Sequence, residues 1–295
     1  MQRQVLIVTE EAAPLWVGQA LSPFGLVPVY QADPGRALWR AAREQPALIV
    51  LHDLPGAASL CRTLKLHRPT NLIPLLQTTS PPATGGGGLL IEPDEWLTPP
   101  LSRERFATAL QRLLRRRDER DRDGMRAELR FAVPSDAPAL EELSVLLAAW
   151  FASCGLSPYQ VQQLNLAVRE VVANAIEWGH GYVADRLVAV ACRLESDRVG
   201  ILVRDTGPGF DPRDLPHAAR PGDPLSHLPV RAARKLREGG FGILMASGLV
   251  DHLCYNDTGN EASLIKLLPT RRSPAASSTT TTSGSIESRS APVQP

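Results

Sequence analysis

The sequence predicts an α/β chain built from two units, and three observations carry that prediction. At 295 residues the chain is long enough for two domains with ordinary cores. Residues 1 to about 118 alternate short apolar runs with helix-period stretches, the pattern of a parallel sheet covered on both faces. A charge-dense stretch ending at Gly124 then gives way to a second succession of strand-like and helix-like segments that continues to about residue 270.

In the first unit VLIV (5–8), ALIVL (47–51) and IPLLQ (73–77) read as strands. WVGQALSPFG, GRALWRAAREQ and SLCRTLKLHR read as the helices between and after them. Ligands of such sheets sit beyond the carboxyl ends of the strands, where Glu10, Asp53 and Thr79 fall. RERFATALQRLLRRRDERDRDG (103–124) is helical through Phe106, Leu110 and Leu113 or Leu114. Its second half, a run of mixed charge, reads as a solvated helix end leading into a charged linker over 119–127. Arg115 to Arg117 are too few, and too closely followed by acids, to imply nucleic-acid binding.

The second unit, 128–270, opens on the strand-like AELRFAVP (127–134). Two helical stretches follow, with Ser135 and Ser157 in helix-start positions. RLVAVACRLE (186–195), RVGILVRD (198–205) and SLIKLL (263–268) read as strands, with a further helix from about 242. Residues 271–295 are rich in Ser and Thr and nearly devoid of large apolar residues, the composition of a disordered tail.

Composition narrows the class. A net charge of +1 gives no electrostatic argument for nucleic acid. Cys61, Cys154, Cys192 and Cys254 are scattered without a CxxC pair, which suits reduced core thiols better than disulfides or zinc. The apolar run Val5–Val8 is too short for a signal peptide, and the most apolar window, 143–156, is too short to span a membrane. A cytoplasmic protein is expected.

The chemistry concentrates in three segments. In NLAVREVVANAIEWGH (165–180), Val168, Val171 and Ala175, with Leu164 just before, form a core-facing stripe about 60° wide at 100° per residue. Glu170, Asn174 and Glu177 form a polar stripe beside it, which a solvated face would also explain. In RVGILVRDTGPGFDP (198–212) a strand runs into Asp205 and a turn with Gly207 and Gly209, so that a carboxylate faces the edge of a flat ligand. A carboxylate accepts but cannot donate, which suits an exocyclic amine. Taken alone, the same residues suit a plain turn. In REGGFGILMASGL (237–249), Gly239, Gly240 and Gly242 lead into a helix whose free N–H groups attract phosphate, although glycines before helices are common.

Glu-x-x-x-Asn on a helix, Asp-x-Gly-x-Gly-Phe after a strand and Gly-Gly-Phe-Gly before a second helix, in this order, resemble the GHKL (Bergerat-fold) ATP-binding family. Within that family the chain is similar to the anti-sigma-factor serine/threonine kinases. The resemblance covers roughly 128–270 and implies an α/β two-layer sandwich that binds ATP and Mg²⁺. It implies that Asn174 ligates Mg²⁺ and that Glu170 is the general base toward the attacking hydroxyl. Asp205 would read adenine, with Gly207, Gly209 and Phe210 around it, while Gly239, Gly240 and Gly242 meet the phosphates. Arg231, Arg234, Lys235 and Arg237, in the lid, would neutralise charge on the phosphoryl group, or simply be solvated. Glu177 and His180 match no catalytic position and are expected to form the structural end of the helix.

None of the six histidines lies between residues 68 and 179, which argues against a histidine autokinase. The resemblance implies instead transfer to Ser or Thr of a STAS-like anti-anti-sigma protein, with a sigma factor and a homodimer as further partners. The competing reading is a nucleotide-dependent module that clamps a sigma factor or other partner without phosphoryl transfer.

The first unit resembles a flavodoxin-like response-regulator receiver in degenerate form. His52 stands where the phospho-accepting Asp is expected, with Asp53 one residue late, Thr79 as the switch threonine and Pro99 in place of the lysine. This implies an interaction or dimerisation platform rather than a phosphorylated switch; phosphorylation of Asp53 is the alternative.

Overall fold

A computed structural model describes residues 3–11, 16–81, 88–211, 218–219, 222–233 and 240–268. The first unit contains β1 (Arg3–Val8), α1 (Trp16–Leu21), β2 (Leu26–Gln31), α2 (Pro34–Glu44), β3 (Leu48–Leu51), α3 (Ala57–Leu66) and β4 (Leu75–Gln77). The short strands β5 (Leu90–Ile91) and β6 (Glu95–Trp96) and the long helix α4 (Arg103–Arg122) follow. Its sheet runs β2-β1-β3-β4-β6, with every pair parallel. Taking β6 as the fifth strand, this is the doubly wound flavodoxin-like order.

Alternation along each strand builds both faces of this sheet at once. Val5, Ile7, Leu48 and Val50 pack with Phe106, Leu110 and Leu113 of α4. Leu6, Val8, Ile49 and Leu51 pack on the other side with Ala37, Ala41, Leu60 and Leu64 of α2 and α3. Strand β2 escapes a pattern search because Pro28 interrupts it. It lies at the sheet edge, where a missing N–H is tolerated.

The second unit contains β7 (Ala127–Pro134), α5 (Ala137–Ser153), α6 (Pro158–Asn174), β8 (Leu187–Leu194), β9 (Arg198–Arg204), α7 (His227–Ala233), α8 (Gly242–Leu249), β10 (His252–Tyr255) and β11 (Glu261–Leu267). Its sheet, β10-β11-β9-β8-β7-β5, is antiparallel throughout. Leu129, Val190, Ile201 and Leu264 of the sheet share one core with Leu147, Val168 and Ala246 of α5, α6 and α8, the expected two-layer sandwich. Ser157 caps α6 through a capping box with Gln160. Ser135 does not cap α5; Asp136 does, accepting from Ala139 N at 2.8 Å.

Residues 119–127 are only partly a solvated linker: Asp121 to Gly124 and Arg126 are exposed, but the stretch also carries buried side chains. Helix α4 continues to Arg122, and Arg120 is buried between the two sheets. Its guanidinium meets both Asp94 and Glu128. Lys65 Nζ lies 2.5 Å from Asp94, and Arg130 and Arg193 each lie 3.1 Å from Glu128. Asn71 accepts from Glu128 N at 2.7 Å and donates to Glu128 O at 2.9 Å. Strand β5, from the first unit's stretch of chain, pairs with β7 and extends the second unit's sheet. The two units are thus joined by a strand pairing and a buried ion network.

Of the four cysteines, Cys61, Cys154 and Cys192 are buried thiols as expected; burial pushes Cys61 up to about 12. Cys254 departs from the expectation and is exposed.

Candidate functional site

One cavity of about 390 Å³ gathers the three segments singled out by sequence. Glu170 and Asn174 line it from α6, Asp205, Gly209 and Phe210 from the loop after β9, and Gly240 and Gly242 from the start of α8. The core stripe of α6 behaves as read, with Leu164, Val168 and Val171 buried.

The polar stripe is only partly as read. After Asn174 the helix widens into a π turn over Ala175–Gly179, with His180 N donating to Ala175 O at 3.0 Å. A π turn uses more residues per turn than an α turn. It therefore brings Trp178, rather than Glu177, onto the line of Glu170 and Asn174, and Trp178 lines the cavity. Nothing in the helical period signals this residue; π turns have no sequence pattern of their own.

Asp205 is 8% exposed and its Oδ1 accepts from Gly207 N at 2.7 Å. Burial raises its pKa, while the Gly207 N–H and His180 oppose the rise. Two glycines allow the carboxylate to sit there. A Cβ on Gly207 would lie 2.2 Å from Gly179 O, and one on Gly179 would lie 2.5 Å from Asp205 Oδ1. Gly209, at φ +70°, passes so close to Thr258 that a Cβ would lie 1.9 Å from its carbonyl oxygen. Phe210 donates its N–H to that carbonyl and stacks edge-on against Tyr255, ring centroids 5.1 Å apart.

On the opposite wall a Cβ at Gly242 would lie 2.7 Å from Glu170 Oε2. The Glu170 carboxylate therefore sits directly over the first turn of α8. The Tyr255 hydroxyl is buried in the same cavity without a hydrogen bond of normal geometry; burial pushes its pKa up to about 12, with the Asn174 amide opposing. Among the described residues no Lys or Arg lines the cavity. Gly239, Arg234, Lys235 and Arg237 lie outside the described residues, and Arg231 is described only by its backbone, in α7.

His180, expected as a structural helix end, is buried and joins Ser135 to Thr206. Glu177 does not line the cavity.

In the first unit His52 does occupy the end of β3, where its Nδ1 lies 2.8 Å from Thr78 Oγ1. The threonine beside it is thus Thr78, not Thr79. Burial lowers the His52 pKa, while Asp53 and Glu11 oppose. Asp53 and Glu10 are exposed, and Asp53 has φ +42°. Among the described residues no cluster of His, Cys, Asp and Glu could hold a metal ion.

Comparison with known proteins agrees with this geometry. The model of the family described as "Histidine kinase-like ATPase domain" matches residues 133–266. The serine-protein kinase RsbW of Bacillus licheniformis is 31% identical over 121 residues, 40% of this chain and 71% of the relative. That of Staphylococcus aureus (strain MSSA476) is 24% identical over 140 residues, 46% of this chain and 84% of the relative. Among solved structures, a response regulator receiver modulated diguanylate cyclase from Pelobacter carbinolicus is 19% identical, covering 41% of this chain and 98% of that one, with a TM-score of 0.33. Three ordered segments around one cavity, the family match over the sheet that holds them and a relative covered over more than two thirds of its length lead to one conclusion: the chain belongs to the GHKL family of histidine kinase-like ATPase domains, on its serine-protein kinase branch.

Proposed function

We propose that the protein is an ATP-dependent serine/threonine protein kinase. Its substrate would be a hydroxyl of a STAS-like anti-anti-sigma protein in a partner-switching pathway. The observation that supports this most is the convergence of Glu170, Asn174, Asp205 and the glycines of α8 on one cavity, although they lie far apart in the chain.

The residues present fit ATP and Mg²⁺. Asp205 offers a buried acceptor to the amine of adenine. The start of α8, where Gly242 lets the Glu170 carboxylate lie against the backbone, offers backbone N–H groups to phosphate. The described walls carry no cation for a triphosphate, and the Asn174 amide oxygen suits a hard divalent ion. Mg²⁺, when bound, supplies counter-charge to the phosphates.

In the proposed transfer the bond from the γ-phosphorus to its bridging oxygen breaks and a bond to the partner's hydroxyl oxygen forms. ADP leaves, and the hydroxyl proton passes to Glu170. Asp205, Gly207 and Gly209 hold the purine; Gly239, Gly240 and Gly242 hold the phosphates. Arg231, Arg234, Lys235 and Arg237 would neutralise charge on the phosphoryl group. Glu170 stands at the first turn of α8, where a general base would meet the attacking hydroxyl, and this supports transfer over a non-catalytic clamp.

The reading includes a sigma factor as second partner, a homodimer as the working state and a cytoplasmic location. No described helix is long and apolar enough to cross a membrane. The first unit would serve as a platform for partners, without phosphorylation of Asp53. Purified protein, labelled ATP and candidate STAS proteins test the reading. Transfer by wild type, none by Glu170→Gln and no calorimetric Mg·ATP binding by Asn174→Ala are expected. Equal signalling by Glu170→Gln and wild type would establish the clamp instead.

A further inference from the structure

The imidazole of His180 is 2% exposed, does not line the cavity and has both ring nitrogens engaged. Nε2 accepts the backbone N–H of Thr206 at 2.9 Å and lies 3.1 Å from the Thr206 hydroxyl. On the other side Nδ1 lies 2.7 Å from Ser135 Oγ. The single hydroxyl proton of Ser135 goes to the carbonyl of Arg186, 2.9 Å away. An amide N–H can only donate, so Nε2 carries no proton. The neutral ring therefore carries its proton on Nδ1 and donates it to Ser135.

This bond reaches the nucleotide-reading end of the cavity through the chain. Thr206 stands between Asp205 and Gly207, which share the 2.7 Å hydrogen bond that aims the carboxylate. Gly207 packs on Gly179, the residue before His180. One ring thus ties the turn after α6 to the loop after β9, with the segments before α5 and β8 as its anchor.

We propose that His180 is a positioning residue for nucleotide binding: its neutral ring latches the Asp205 loop, and a proton on Nε2 releases that latch. The proposal deepens the ATP reading and rests on it for the identity of the ligand. A protonated Nε2 is a donor facing a donor, so the Thr206 N–H would lose its partner and only the longer contact to the Thr206 hydroxyl, 3.1 Å away, would still hold the loop. The groups around the ring are Asp205 from the loop, Arg186 from the segment before β8, and the neutral Ser135 and Thr206. Burial lowers the His180 pKa below 6.5, Asp205 opposes and Arg186 adds to the lowering. A depressed histidine pKa means that the latch is fully formed above 6.5 and is lost as pH falls through the lowered value.

The test compares Mg·ATP affinity of wild type, His180→Gln and His180→Ala from about pH 8 to about pH 5. Gln offers an acceptor near Nε2 that does not titrate. Titration of the phosphates is common to all three proteins and divides out of the ratio. At high pH, His180→Ala should bind about tenfold more weakly than wild type, and His180→Gln less than that. The advantage of wild type over His180→Gln should shrink as the solution turns acid. In wild-type protein ¹⁵N spectra should show the Nδ1–H tautomer, and thermal stability should fall below pH 6.5 more steeply than in His180→Gln. An Nε2–H tautomer, or an affinity ratio independent of pH, would overturn the latch. Absence of ATP binding in all three proteins would overturn the nucleotide reading instead; the tautomer and the stability profile then decide the latch alone.

Discussion

Two polar clusters in this molecule use the same residue types for opposite ends. At the junction of the units, Asp94 and Glu128 are buried with Lys65, Arg120, Arg130 and Arg193 around them. Burial alone would raise both carboxyl pKa values, but Lys65 and Arg120 hold Asp94 well below the usual carboxylate range, and Arg120 and Arg130 lower Glu128. In the cavity Asp205 is also buried, yet no described cation neighbours it and its pKa is raised. A satisfied buried carboxylate fixes structure; an under-satisfied one keeps its acceptor capacity for something else. The comparison separates the framework of the protein from its working surface without reference to any relative.

The largest expected effect lies at the junction. Arg120→Met removes the cation shared by Asp94 and Glu128 and leaves two buried carboxylates short of charge. Breaking a buried pair on one side costs about 3–5 kcal/mol. Urea unfolding should show a loss of that order for Arg120→Met, and less for Asn174→Ala in the cavity. A junction variant as stable as wild type would erase the distinction drawn above. Because β5 and the network join both units, the loss should appear in one transition reported equally by probes in each unit.

The second effect is the acid limb of stability. A carboxylate with a depressed folded pKa contributes stability above its unfolded pKa, near 4, and that contribution fades as pH falls through the folded value. Wild type should therefore lose stability below about pH 4, as Asp94 and Glu128 take up protons. In Arg120→Met the folded-state pKa values of both carboxylates rise toward their unfolded values, so the acid decline should be shallower than in wild type. Thermal melts over the acid range check this. Superimposable profiles would remove the network as the source.

What the sequence disclosed follows the same division. The helix carrying Glu170 and Asn174, the Asp205 turn and the glycines before α8 were legible because each is a local pattern that needs no distant partner. The junction was not legible. Arg120 stands in RRRDERDRD, which looks like a solvated run, and only the packing of Asp94 and Glu128 from other segments buries it. Strands β5 and β6 are two residues long and owe their existence to the strands they pair with. Trp178 was missed for a third reason: the period assumed for the helix changes beneath it.

The smallest effect is the sharpest test of what an under-satisfied carboxylate is for. Asp205→Asn keeps the shape of the side chain and still accepts from Gly207 N through its amide oxygen. The amide also brings a donor to the edge where an adenine amine would donate, so Mg·ATP should bind about tenfold more weakly. Stability should move the other way. Burial disfavours the ionised form of Asp205, so above its unfolded pKa the charge opposes folding, and removing it should stabilise the protein slightly. A variant weaker in binding and no less stable fits a residue kept for a ligand at the expense of the fold. If Asp205→Asn is destabilised as Arg120→Met is, Asp205 belongs with the framework, and the contrast between the two clusters fails at its decisive residue.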